Sequence, residues 1–356
     1  MVANEMYDPV FNEVFELSNK AQAMESKWFD NGGEPIWVTN QKRCESHRTG
    51  VVFWPGDSAR VKGYLPTQYL PYNPSTPNET RVDYITDWFT SKQPINLGLL
   101  YFEEPDGWGH WFGPDSQQVT DMIGDLDGVL GYLLQRLNET NLLDEVDIII
   151  TSDHGMAETP KNKVIDLDHF IDKYSYRFFS GNPIGNILPN AGVSVADLCQ
   201  NLSRIQHAKV YKKPDIPDRY HYKSNRRIQP ILIVPDEGFS LSYNGSSTPK
   251  GQHGYDNDIS DMHPFFMAMG PSFKKGYKKD TFHTVDIYPL ICHILGVEAA
   301  PNNGSFSAVK DLLIGQKNNE KSSDFTMVIS KSIFSVLFLY SIFYFECNLA
   351  LTSIYI

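Results

Sequence analysis

Two aspartates and three histidines, held in three short segments, carry the chemistry that this chain can do. The segments are Pro105-Asp106-Gly107-Trp108-Gly109-His110, Ser152-Asp153-His154-Gly155-Met156 and Gly251-Gln252-His253-Gly254-Tyr255. Carboxylate oxygens and imidazole nitrogens without a thiolate suit a catalytic rather than a structural zinc, and they also accept manganese or magnesium. Two such ions about 4 Å apart would clamp the attacking and leaving oxygens of a phosphoryl transfer. Each segment alone has a plainer explanation. Asp106 before a glycine suits a turn, and Asp153-His154-Gly155 suits a helix cap. Three of them together, each with glycine beside its ligands, are better explained by a metal site to which backbone must come close. No segment offers a nucleophile motif.

The elements around these segments must place them. Residues 94–102 and 146–151 are mostly apolar, β-branched or aromatic, and each runs straight into a ligand segment. Between them, residues 116–143 carry Val119, Met122, Ile123, Leu126, Val129, Leu130, Leu133, Leu134 and Leu137 at helical spacing. Strand, helix and strand make a βαβ unit, which predicts both ligand segments at the carboxyl ends of neighbouring parallel strands. Further strands are expected at 228–234 and 264–270, and a helix at 286–295.

A net charge of −12 argues against a basic groove for a nucleic-acid polymer, although bound metal could still draw a small anion. The four cysteines, Cys44, Cys199, Cys292 and Cys347, show no CxxC spacing. Five Asn-X-Ser/Thr sequons, at Asn78, Asn138, Asn201, Asn244 and Asn303, favour a glycoprotein facing the cell exterior. The first nine residues have neither the basic nor the apolar region of a signal peptide, so the reading is that the natural start lies upstream. Three regions are expected: a catalytic domain over 1–314, a polar linker over 315–331, and an apolar run over 332–352. That run is long enough for a membrane-spanning helix or a lipid-anchor signal, giving a membrane partner.

The chain resembles the ectonucleotide pyrophosphatase/phosphodiesterase family, the type I phosphodiesterases of the alkaline phosphatase superfamily. The resemblance runs from Val2 to about Leu313. It is carried by Asn4-Glu-Met-Tyr-Asp-Pro9, Glu34-Pro-Ile-Trp-Val38, Phe53-Trp-Pro-Gly56, Glu104-Pro-Asp106, Ser152-Asp-His-Gly-Met156, His253-Gly-Tyr-Asp-Asn257 and Ala300-Pro-Asn-Asn-Gly304. It implies an α/β fold with an alkaline-phosphatase-like parallel-sheet core flanked by helices, here lacking the first strand–helix unit, whose loss would expose a sheet edge.

The resemblance also implies two Zn2+ ions in the intact family, with one complete site in this chain. Asp106, His110 and His253 resemble the ligands of one zinc, and Asp153 and His154 half of the second. The remaining Asp ligand and the Thr nucleophile belong to a segment that would precede Met1, and Thr281 is no replacement. Asn4 matches a donor to a phosphate oxygen, while Leu17, Trp54 and Tyr72 match the pocket around a nucleobase. Asp57-Ser58 inverts the more usual Ser-Asp order. The expected activity is zinc-dependent hydrolysis of phosphodiester or phosphoanhydride bonds in nucleotides, impaired in this truncated chain. The rival expectation is a catalytically silent, membrane-tethered module that binds zinc and nucleotide.

Overall fold

The computed structural model describes residues 3–179, 183–315, 335–340 and 354–355. Its centre is a six-stranded sheet. The core elements in chain order are β1 (Thr49–Val52), β2 (Gln68–Leu70), α1 (Asn78–Thr90), β3 (Leu97–Tyr101), α2 (Asp106–Phe112), α3 (Gln117–Glu139), β4 (Val146–Thr151), β5 (Phe266–Met269), α4 (Ile287–Leu295) and β6 (Ser335–Tyr340). Across the sheet the order is β5-β4-β6-β3-β1-β2, with β5 antiparallel to β4 and every other pair parallel.

Strand periodicity divides the core into two faces. Leu100, Ile148 and Ile150 point to the side covered by α1 and α3, where they meet Val82, Ile85, Phe89, Leu126, Val129, Leu133 and Leu137. Leu97, Leu99 and Ile149 point to the other side, against Leu290, Ile291 and Ile294 of α4 and against Trp37 and Val38. Both faces are therefore dry, which explains why β1, β3 and β4 read as nearly unbroken apolar runs. The long helix α3 starts where the Ser116 hydroxyl accepts the Val119 N–H, so the first unpaired turn is capped by a side chain.

Between β4 and β5 the chain builds a second, antiparallel sheet, ordered Ala208–Lys212, Ile231–Pro235, Gly185–Pro189 and Tyr176–Phe179. The helix Val195–Leu202 closes one face of it with Leu198 and Leu202 against Ile187, Ile231 and Ile233. The strand expected at 228–234 is thus real but belongs to this insertion, not to the parallel core. A hairpin, Glu5–Asp8 with Glu13–Glu16, docks beside it. Its buried Asp8 carboxylate meets Arg227 Nε at 2.7 Å and Arg226 Nη2 at 2.8 Å.

Two expectations need correction. β3 and β4 are not neighbours, because β6 lies between them and pairs with both. Ser335–Tyr340 is also a strand, inside the 332–352 run expected to be a membrane-spanning helix or a lipid-anchor signal. The rest of that run, and 316–331 of the linker, fall outside the described residues. Among the described residues no helix is long and apolar enough to cross a membrane.

Candidate metal centre

The five predicted ligands lie beyond the carboxyl ends of core strands or just past a short strand. Leaving β3, the chain passes through Phe102–Pro105 into α2, which Asp106 opens. His110 follows one turn later, so both side chains leave the same face of the helix. Beyond β4, residues 152–156 carry Asp153 and His154. His253 directly follows Gly251–Gln252, a two-residue strand paired antiparallel with Ala157–Glu158.

Glycine is what lets α2 lie against that short strand. The Lys250 N–H donates to the His110 carbonyl at 2.9 Å. A Cβ on Gly251 would collide with the Gly109 carbonyl and the Met156 sulfur. Gly155 is equally tight, with the Asp261 carbonyl occupying the space that a Cβ would need.

Asp106, His110 and His253 converge, each offering one ligand atom, and these atoms lie within 4.8 Å of one another. Asp106 Oδ1 is 3.2 Å from His110 Nε2 and 3.4 Å from His253 Nε2. Among the described residues this buried oxygen has no hydrogen-bond partner. His110 Nδ1 lies 2.7 Å from the Gly251 carbonyl, which can only accept, so the ring places an N–H there and turns its Nε2 lone pair toward Asp106. An unpartnered carboxylate oxygen facing imidazole nitrogens is costly when dry, and a cation is what relieves it. The donor set therefore fits a divalent metal.

Asp153 and His154 adjoin this group. The His154 ring stacks on His253 with centroids 3.4 Å apart and planes 9° apart, and its Nε2 lies 3.4 Å from Asp153 Oδ2. Its Nδ1 faces the Gly155 carbonyl at 2.8 Å, the same arrangement as in His110. Burial, followed by the proximity of His154, pushes the His253 imidazole down to about 3, so it stays neutral and able to ligate. Burial also pushes the Asp153 carboxyl up, despite the attraction of His154.

The substrate-side residues fall in two places. Asn4 and Leu17 are brought together by the hairpin, where the Leu17 N–H donates to the Asn4 carbonyl at 2.8 Å, and Leu17 packs against Met6, Phe15 and Trp28. Trp54 meets Tyr101 edge-on with centroids 6.4 Å apart, and Tyr72 meets Phe53 in the same way at 5.4 Å. Tyr101 is a site residue that the sequence reading missed. As the last residue of β3 it meets Trp54, and its hydroxyl is pushed up by burial and then by the charges of Asp153 and Asp106. Its position one strand end before Asp106 was the available signal. Asp57, from the inverted Asp-Ser pair, points inward. It is 5% exposed, accepts the Ser58 hydroxyl at 2.7 Å, and burial pushes its carboxyl up to about 7.

The chain has relatives among known proteins. The type I phosphodiesterase/nucleotide pyrophosphatase family model matches residues 1–256. Over 315 residues the chain is 45% identical to human ectonucleotide pyrophosphatase/phosphodiesterase family member 5, covering 88% of this chain and 65% of the relative. It is 43% identical over 319 residues to the bis(5'-adenosyl)-triphosphatase of Xenopus laevis, covering 89% of this chain and 69% of that protein. Murine ectonucleotide pyrophosphatase/phosphodiesterase 5 has a similar structure, with a TM-score of 0.85 at 44% identity over 88% of this chain and 83% of that one. An inactive variant of the murine protein, in complex with AMP, gives a TM-score of 0.84. The chain thus spans 65% of the human relative's length and 69% of the frog relative's. By sequence and by structure, the chain belongs to the type I phosphodiesterase/nucleotide pyrophosphatase family.

Proposed function

We propose that the chain carries the metal-binding part of a zinc-dependent site that hydrolyses phosphodiester or phosphoanhydride bonds of nucleotides. The convergence of His110 Nε2 and His253 Nε2 on Asp106 Oδ1, which has no hydrogen-bond partner among the described residues, carries this reading. These three residues would hold one zinc, and Asp153 with His154 would supply two ligands to a second. When bound, zinc polarises a phosphoryl oxygen and makes a neighbouring water or hydroxyl a better nucleophile at neutral pH.

The chain's own residues do the rest. The Gly251 carbonyl orients His110, and the Gly155 carbonyl orients His154, so that ligand nitrogens need not reorganise when the ion arrives. Asn4 would donate to a phosphate oxygen, an interaction that strengthens as charge develops there. Leu17, Trp54 and Tyr72 would flank the base. The AMP complex of the murine relative and the bis(5'-adenosyl)-triphosphate activity named for the frog relative support adenine nucleotides as the substrate class. The resemblance places the Thr nucleophile and a further Asp ligand in a segment that would precede Met1. Turnover by residues 1–314 alone is therefore expected to fall far below that of a chain carrying both.

Zinc affinity, measured by competition with a chromophoric chelator, tests the reading directly. His253→Ala and Asp106→Asn should each weaken binding on the order of 100-fold, because the first removes a ligand and the second removes the negative charge of one. Unchanged affinity in both variants would overturn it.

A further inference from the structure

Outside the metal centre, one buried cation joins the base-side residues to the segment that carries Asp106. Arg81 lies in the first turn of α1 and is 3% exposed. Its Nε donates to the Thr76 carbonyl at 3.1 Å, which ties down the loop over 71–77 that bears Tyr72. Its two terminal nitrogens grip the Glu103 carboxylate, Nη2 meeting Oε1 at 3.0 Å and Nη1 meeting Oε2. Glu103 lies two residues past the end of β3 and three before Asp106. The guanidinium carbon also stands 4.6 Å from the centroid of the Phe53 ring.

Phe53 is itself held in an unusual way. Its φ of +66° lies in the left-handed region, which an aromatic residue enters only where its surroundings force it. This turn directly follows β1 and delivers the next residue, Trp54, to its contact with Tyr101. The Tyr72 ring meets Phe53 edge-on and stays 47% exposed, so it keeps area for a base. Burial, followed by the charge of Glu103, pushes the Tyr72 hydroxyl up. Arg81 thus touches the residue before Trp54, the loop that bears Tyr72 and the segment that leads to Asp106. A planar fork of N–H donors can meet such groups at fixed angles, which a lysine cannot do. A buried ion pair roughly repays its own desolvation, so the consequence of this one is the geometry it fixes.

We propose that Arg81 is a positioning residue for the nucleoside half of the substrate. Through Phe53, Thr76 and Glu103 it holds Trp54 and Tyr72 at a fixed offset from Asp106, and so sets affinity for the base rather than for the metal. Arg81 in this role depends on the proposed nucleotide site and joins its metal half to its base half.

Calorimetric titration of the zinc-loaded full chain with AMP and with ribose 5-phosphate tests it. The two ligands share a phosphate and differ in the base, and one stacked base is worth roughly 5- to 100-fold in affinity. Arg81→Lys keeps the charge but not the fork. It should weaken AMP at least about fivefold, while ribose 5-phosphate and zinc stay within about twofold. Glu103→Gln should shift the ratio of the two ligands in the same direction, and it decides the matter if Arg81→Lys does not fold. A ratio unchanged by these substitutions, or an equal loss of both ligands, would overturn the proposal. So would an unsubstituted chain that binds AMP no more tightly than ribose 5-phosphate. Zinc affinity that Asp106→Asn leaves intact would instead overturn the metal reading, and the ligand ratio, read with and without zinc, is separate from it.

Discussion

Asp106 is half-buried and Asp57 fully buried, and their surroundings give them opposite roles. Asp106 faces two histidines that can share a cation with it, whereas Asp57 accepts hydrogen bonds from Ser58 and, among the described residues, keeps a buried Oδ2 without a partner. The Asp57 carboxyl therefore titrates near 7 in the folded chain, against an ordinary value of 3.8. A carboxyl raised on folding favours the folded state while it is protonated, so this contribution is complete below about pH 4 and is lost as pH rises through 7. Asp57→Asn should raise thermal stability by less than half the full amount at pH 5 and by up to about 4 kcal/mol at pH 8 if the whole shift is expressed. Melting curves of the two proteins at both pH values check this, and equal differences at pH 5 and pH 8 would exclude it. The five candidate ligands could be proposed from the sequence because metal chemistry restricts residue type and glycine betrays close approach, and the structure brings ligand atoms of three of them within 4.8 Å of one another. Asp57 and Tyr101 could not, because their behaviour comes from what is packed around them.

At the scale of elements, helix α3 was the easiest to read. Its apolar residues recur at three and four, and its cap is a serine. Leu133 is 1% exposed and sits where α3 crosses the sheet, so Leu133→Ala should cost roughly 2–5 kcal/mol, seen as a lower urea midpoint with an unchanged slope. Gly251→Ala acts differently. The added methyl has only the Gly109 carbonyl and Met156 to push against, so α2 must move away. Zinc affinity should fall at least about tenfold while the fold survives, which the chelator competition would show. The C-terminal strand marks the limit of sequence reading. A run that is apolar at every position fits a membrane helix and a doubly covered strand equally well, and periodicity alone does not separate them. Only the pairing of Ser335–Tyr340 with β3 and β4 does.

For the whole molecule, the hairpin at the start of the chain and the antiparallel insertion share one buried ionic joint. Burial alone would raise the Asp8 carboxyl, but hydrogen bonds from Arg226 and Arg227 overcome it and hold that carboxyl well below its ordinary range. Such a group stabilises the fold above its unfolded value of about 4, and the contribution is lost as pH falls below that value toward the folded one. Asp8→Ala should cost about 3–5 kcal/mol near neutrality, because Arg227 stays buried without its carboxylate. The penalty should shrink in acid, and denaturant titrations at pH 7 and pH 3 measure it. The sequence showed both ends of this joint only as separate charges 218 and 219 residues apart. Parallel-core topology could be inferred locally from one βαβ unit, whereas the insertion, the ionic joint and the returning C-terminal strand all depend on contacts distant in sequence.

The account rests on one metal site, and anomalous scattering from zinc-loaded crystals, recorded on either side of the zinc edge, tests it most directly. The expected result is a strong anomalous peak within bonding distance of Asp106 Oδ1, His110 Nε2 and His253 Nε2, absent in His253→Ala. A zinc-loaded protein with no peak at these three atoms, or with its peak held by other residues, would contradict the account.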